Sequence, residues 1–267
     1  MLQSLFGART FLDTDVEAWQ LETWALLLAH FGGEIPFRDI PLVSPTPNFF
    51  PPTEAEGHAR ALHVFDCTRR AMNIETWPCR LEVQTPRRGG ERVSEFVTLG
   101  DVSAPNGTFR SDPDGSIVIT YAPELLAAPV EMIATFAHEL SHYLLAAMPD
   151  AALDETHELM TDLMVAYSGF GIFGANACFS FQQHADAFGQ GWSSRHNGYL
   201  SPRSWAFALA VFTALRETDD GMERWLVPEI ASLWRQASKY LGRHPHLLVP
   251  LRDIMGQALK PSPRSCR

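Results

Sequence analysis

Apolar residues recur along this chain in two rhythms, and the rhythms occupy different stretches. Between Asp15 and Phe31 (DVEAWQLETWALLLAHF) they fall three and four positions apart, which predicts an amphipathic helix ended by Gly32-Gly33. The prolines of PLVSPTPNFFPP, residues 41–52, then call for an extended connection over the surface. Thr53 and Glu56 stand in the spacing of a capping box, so a helix is expected from about Glu54 to Met72. Beyond it the period shortens. CRLEVQ (79–84), SEFVTLG (94–100), GTFR (107–110) and SIVITY (116–121) read as strands, and SDPDG turns a hairpin between the last two.

The longer period returns at Pro129, which suits the first position of a helix continuing to about Ala147, where Pro149 stops it. A second helix starts near Asp154 and runs into Leu163–Phe181, a stretch without a charged residue. Such a run approaches the length of a membrane span. Gly169, Gly171, Gly174, Asn176 and two serines interrupt it, so the reading is a buried core helix with a glycine break. Residues 182–198, rich in Gln, Gly and Ser, form a looser region. Ser201-Pro202 opens a helix to about Glu217, and a last one spans roughly 222–241, with Pro228 as a kink and Gly242 as its end. Helices, then a small sheet, then helices make an α+β protein. The chain reads as a single domain over 1–267: helices and sheet in 1–128, a helix pair in 129–181, and a helical lobe in 182–267.

Composition narrows the function classes. Apolar residues at 46% and charged residues at 19% are ordinary for a folded protein. A net charge of −10 argues against a nucleic-acid partner, since phosphate recognition needs a basic surface. Cys67, Cys79, Cys178 and Cys266 are scattered, with no CxxC pair, and are expected to be free thiols. The opening MLQSLFGARTFLD holds no apolar run of secretory length, which makes a cytoplasmic location the expectation, with no membrane partner.

One motif carries chemistry. Within ATFAHELSHYLL lies His138-Glu139-Leu140-Ser141-His142, an HExxH pattern. Residues four apart share a helix face, so both imidazoles can reach one ion, and Glu139 sits beside its open position as a candidate general base. Small residues at Ala134, Ala137, Ser141 and Ala146 leave room for close packing. A catalytic zinc site needs a third protein ligand, with water in the fourth position. The extended HExxHxxGxxH version fails, because Leu145 and Met148 hold the glycine and third-histidine places. If the two helices fold back with a midpoint near Asp150, residues whose numbers sum to about 300 face each other. That sets Glu158 opposite His142 and Asp162 opposite His138. Glu158 is then the expected ligand, with Asp162 and Glu155 close enough to substitute, and Asp162 is placed to hold a ligand histidine by its other ring nitrogen. His157 turns away from the direction of Glu158 and reads as a packing residue. Oxyanion or substrate donors are sought among His184, His196 and Tyr199, of which SRHNGYLSP (194–202) offers the last two.

HELSH followed by His157-Glu158-Leu159-Met160-Thr161-Asp162 resembles the pattern of the gluzincin metallopeptidases, an HExxH helix followed by an NExxSD-type helix. The resemblance implies a glutamate bound to zinc and an aspartate supporting a histidine. It covers the stretch from His138 to Asp162, with His157 where the family has Asn and a short separation between the motifs. The hairpin GTFRSDPDGSIVITY is similar to the strand pair before the motif in compact regulatory zincins that cleave repressors, and implies SIVITY as an edge strand holding an extended peptide. The layout of FFPP, HELSH and GYLS is similar to bacterial zincin-like proteins. The implied activity is zinc-dependent hydrolysis of a peptide or protein substrate, with Zn2+ as cofactor. Two other classes stay open: a zinc amidase acting on a small molecule, and a metal-stabilised regulatory protein without turnover. A deformylase is excluded from the former, since its third ligand is a cysteine in a motif this chain lacks.

Overall fold

The first helical rhythm becomes α1 (Thr14–Phe31), which buries Trp24, Leu27 and Leu28 completely. The structure, a computed structural model, describes residues 10–84, 106–112, 114–148, 156–187 and 199–258, with the backbone alone at 180–187 and 258. The proline-rich connection leads to α2 (Gly57–Ala71), which starts later than the capping box implies. Thr53 Oγ1 accepts from the Ala55 amide in a local turn instead, and Gly57 at φ +55° sets the direction of entry.

Three strands follow: β1 (Cys79–Val83), β2 (Gly107–Ser111) and β3 (Ile117–Tyr121). The sheet order is β1-β3-β2, with β1 parallel and β2 antiparallel to β3. The expected hairpin is β2–β3, closed where the Gly115 amide meets the Asp112 carbonyl. SIVITY is therefore the central strand and not an edge. The reason is in its composition. IVITY is apolar almost without alternation, and Val118, Ile119 and Tyr121 are fully buried, as a strand covered on both faces requires. CRLEV and GTFRS each bury one residue and flank it. On the exposed side Arg80 and Arg110 each pair with both Glu82 and Asp112, a lattice of charges that links the two outer strands across the central one. Solvent screens each such pair, so the lattice adds little to stability. The strand expected at 94–100 lies outside the described residues.

The rest is helical: α3 (Pro129–Ala146), α4 (His157–Tyr167), α5 (Gly171–Ala187), α6 (Pro202–Arg216), α7 (Pro228–Arg243) and α8 (Val249–Ala258). The uncharged run 163–181 is divided between α4 and α5 at Gly169, whose φ of +86° is open only to glycine without strain. A Cβ there would overlap the Pro41 carbonyl oxygen. Among the described residues, no helix is long and apolar enough to cross a membrane. Ser201 caps α6 by accepting from the Ser204 amide, with Pro202 behind it. Pro228 opens α7 rather than kinking a longer helix, since a short 3-10 turn, Met222–Trp225, precedes it. The pattern of apolar residues gave no warning of α8, which packs along α1.

The core runs between α3, α4, α5 and α6, where Phe136, Phe170, Phe173, Phe207 and Phe212 are fully buried. Each side chain of this size contributes roughly 1.5–3 kcal/mol by leaving water. This apolar mass grips α3 and α4 from one side and the sheet grips α3 from the other. Both helices are thus held as rigid supports.

Candidate metal centre

α3 begins on Pro129, needs no donor at that position, and turns Met132, Phe136, Leu140 and Leu144 into the core. That stripe leaves His138 and His142 together on the flank towards α4, their rings 4.8 Å apart and nearly perpendicular. α4 runs antiparallel to α3: Asp162 reaches His138, and the earlier residues Glu158, Thr161 and His157 reach His142. Ala137 and Ser141, both fully buried, let α3 pack closely here.

The two imidazoles turn the same nitrogen to one point. Nε2 of His138 stands 3.0 Å and Nε2 of His142 3.6 Å from Oε2 of Glu158. These donor atoms all lie within 4.8 Å of one another. Ligand atoms around a tetrahedral zinc at about 2.0–2.1 Å are about 3.3 Å apart, so the observed separations bracket what an ion needs. The other nitrogens are held from behind. Nδ1 of His138 meets Asp162 Oδ1 at 3.0 Å, and Nδ1 of His142 meets His157 Nε2 at 3.1 Å and Thr161 Oγ1 at 3.2 Å. Two nitrogens and one carboxylate oxygen converging, with their far sides pinned, are a fitting donor set for zinc.

The charges follow from this crowding. Burial disfavours a charged His138, but the Asp162 and Glu158 hydrogen bonds outweigh it and lift its pKa to about 10. The hydrogen bond from His138, with the His142 imidazole close by, holds the Glu158 carboxyl far below the usual range. Without an ion the cluster is a charge pair. A divalent cation held here would replace the proton that His138 carries.

Glu139 is buried, 6% exposed, and burial raises its carboxyl while the two histidines oppose the rise. It lies against β2. A Cβ at Gly107 would stand 2.8 Å from Glu139 Oε1 and 2.6 Å from Thr135 Cγ2, so only glycine leaves that carboxylate its place. Phe109, two residues on, stacks on the His142 ring at 6.1 Å. Opposite, Asp162 uses its second oxygen to accept the Leu200 amide at 2.9 Å, and this draws in Tyr199. The Tyr199 ring lies 5.4 Å from His138 and is half exposed. Burial, aided by the nearby Glu158 and Asp162 charges, pushes its phenol up to about 12, so it remains a donor.

No protein-family model matches this chain, and searches of curated proteins and of solved structures return no match either. The site is therefore interpreted from its own geometry.

Of the residues singled out in the sequence, His138, His142, Glu158, Asp162, Glu139 and Tyr199 come together. Glu155 and His196 lie outside the described residues, as does the side chain of His184. Four contributors escape the sequence reading. His157 is no mere packing residue but meets the far nitrogen of His142; the facing arithmetic that pairs 142 with 158 pairs it with 157 equally well. Thr161, one turn on, shares that nitrogen. Gly107 and Phe109 come from a strand whose position no local periodicity states.

Proposed function

We propose that this chain is a zinc-dependent hydrolase of peptide bonds, built around a gluzincin-like centre in a zincin-like fold. One observation carries the reading: two histidines of an HExxH helix present the same ring nitrogen to one glutamate oxygen while both remaining nitrogens are braced. A structural zinc takes four protein ligands, whereas three here leave a position for water. A buried carboxylate follows the first histidine directly, where a water-activating base belongs.

His138, His142 and Glu158 would hold a zinc ion, which would supply Lewis acidity and lower the pKa of water towards neutrality. Glu139 takes a proton from the attacking water and returns it to the leaving amine. Its raised proton affinity suits both halves of that exchange. Tyr199, protonated and half exposed beside His138, donates to the oxyanion as it forms. Asp162 holds His138 in orientation, while Thr161 and His157 hold His142. β2 takes over the part expected of SIVITY, because Gly107 and Phe109 place this flanking strand against Glu139 and His142. An extended peptide lies beside it.

The test joins elemental analysis to turnover of a peptide library. The purified chain should carry one zinc and cleave. Glu139→Gln should keep the metal and lose turnover, and Glu158→Ala should lose both. Full activity in Glu139→Gln removes the base assignment. A zinc-loaded chain that cleaves neither peptides nor small amides removes the hydrolase.

A further inference from the structure

We propose that a second site, in the cavity between the 41–49 connection and the turn after α6, binds a small organic carboxylate on Arg216 and Arg224. The cavity measures about 300 Å³, at the small end of the range for ligand sites. Its charged lining is two guanidiniums against one carboxylate, Asp220, which leaves +1 in a chain of net charge −10. A positive recess on an acidic protein selects anions.

Arg216 is the unusual member. Its side chain is only 9% exposed, lies over the Phe212 ring at 5.3 Å, and spends one terminal nitrogen on Asp220 at 2.6 Å. Its Nε is buried and has no hydrogen-bond partner among the described residues. A guanidinium so deeply placed is a fixed cation at the wall of the adjoining cavity, and its charge is what an anionic ligand there would meet. Arg224 is its exposed counterpart, with the guanidinium 5.2 Å above the Trp225 ring. Stacked on an aromatic, its planar fork is held ready for a carboxylate.

Neutral groups complete the recognition. Ser44, Thr46 and Asn48 line the cavity from the proline-rich connection and offer hydroxyl and amide donors. Phe49 and Trp225 provide apolar walls for an organic body, which an inorganic anion would not use. A single positive charge in excess matches one carboxylate, whereas a doubly charged phosphate beside Asp220 would remain uncompensated. The site shares no residue with the metal centre.

Titrating the full chain with benzoate, followed by ligand-detected NMR, tests this. Benzamide serves as the neutral isostere and inorganic phosphate as the inorganic anion. Benzoate should saturate, benzamide should not, and Arg224→Gln should weaken benzoate about tenfold. Arg216→Gln should abolish binding, with a thermal melt to show that it folds; if it does not fold, Arg224→Gln alone decides. The proposal is overturned if benzoate fails to saturate, if benzamide binds as well, or if phosphate outcompetes benzoate. It is equally overturned if Arg224→Gln changes nothing, since the carboxylate then sits elsewhere, as on the metal.

Discussion

Asp162 has both oxygens committed, one to the His138 ring and one to the Leu200 amide. Replacing it with Asn puts an amide nitrogen where one of those donors must be accepted, so one bond is lost whichever way the group turns. Asp162→Asn should therefore weaken zinc binding by about 10–100-fold, read by competition with a chromophoric chelator. Gly107 works by leaving space. Gly107→Ala drives a methyl into Thr135 and Glu139, and kcat should fall about tenfold or more while zinc stays bound. Equal losses of metal and turnover would show that the strand supports the whole site and not the base alone.

At the scale of elements, the joint between α4 and α5 sets where Glu158 and Asp162 point. Gly169→Ala imposes strain at φ +86° and a clash with the Pro41 carbonyl. It should cost about 2–4 kcal/mol of stability in a urea titration. This joint is legible in the sequence as a glycine inside an apolar run. So is the pairing of α3 with α4, because a small separation in sequence between two helices limits which residues can face, and the HExxH spacing fixes which face matters. Strand order is not legible in that way. A strand's neighbours are chosen by long-range contacts, and IVITY betrays its central place only through its lack of alternation. His157 stays hidden for a related reason. Its direction on α4 differs from that of Glu158, and only the position of α3 shows that the two directions serve different nitrogens of the same pair. Pro228 illustrates a third limit: a proline reads equally as kink or as first residue until the turn before it is known.

The molecule as a whole should feel the ion. On the proposed reading zinc binds the folded chain and not the unfolded one, so chelation should lower Tm by about 5–10 °C. The chelated protein should also have its own pH dependence. His138 rises from 6.5 to about 10 on folding, so its contribution is complete below pH 6.5 and disappears as pH climbs towards 10. Glu158 is depressed, so its contribution is complete above pH 4.5 and fails only in stronger acid. Melting temperatures of the chelated chain should then decline from pH 6.5 upwards, while the increment added by zinc grows, because the ion needs neutral imidazoles. Two parallel curves would contradict the second statement, and a flat curve for the chelated chain the first. The bond from Leu200 to Asp162 reaches across 38 residues of chain. A growing polypeptide that has emerged only as far as α5 owns both imidazoles and the glutamate, but the acid behind His138 is not yet anchored and Tyr199 has not arrived. On the proposed reading, a nascent chain short of Tyr199 would lack both the donor that anchors Asp162 and the phenol beside His138.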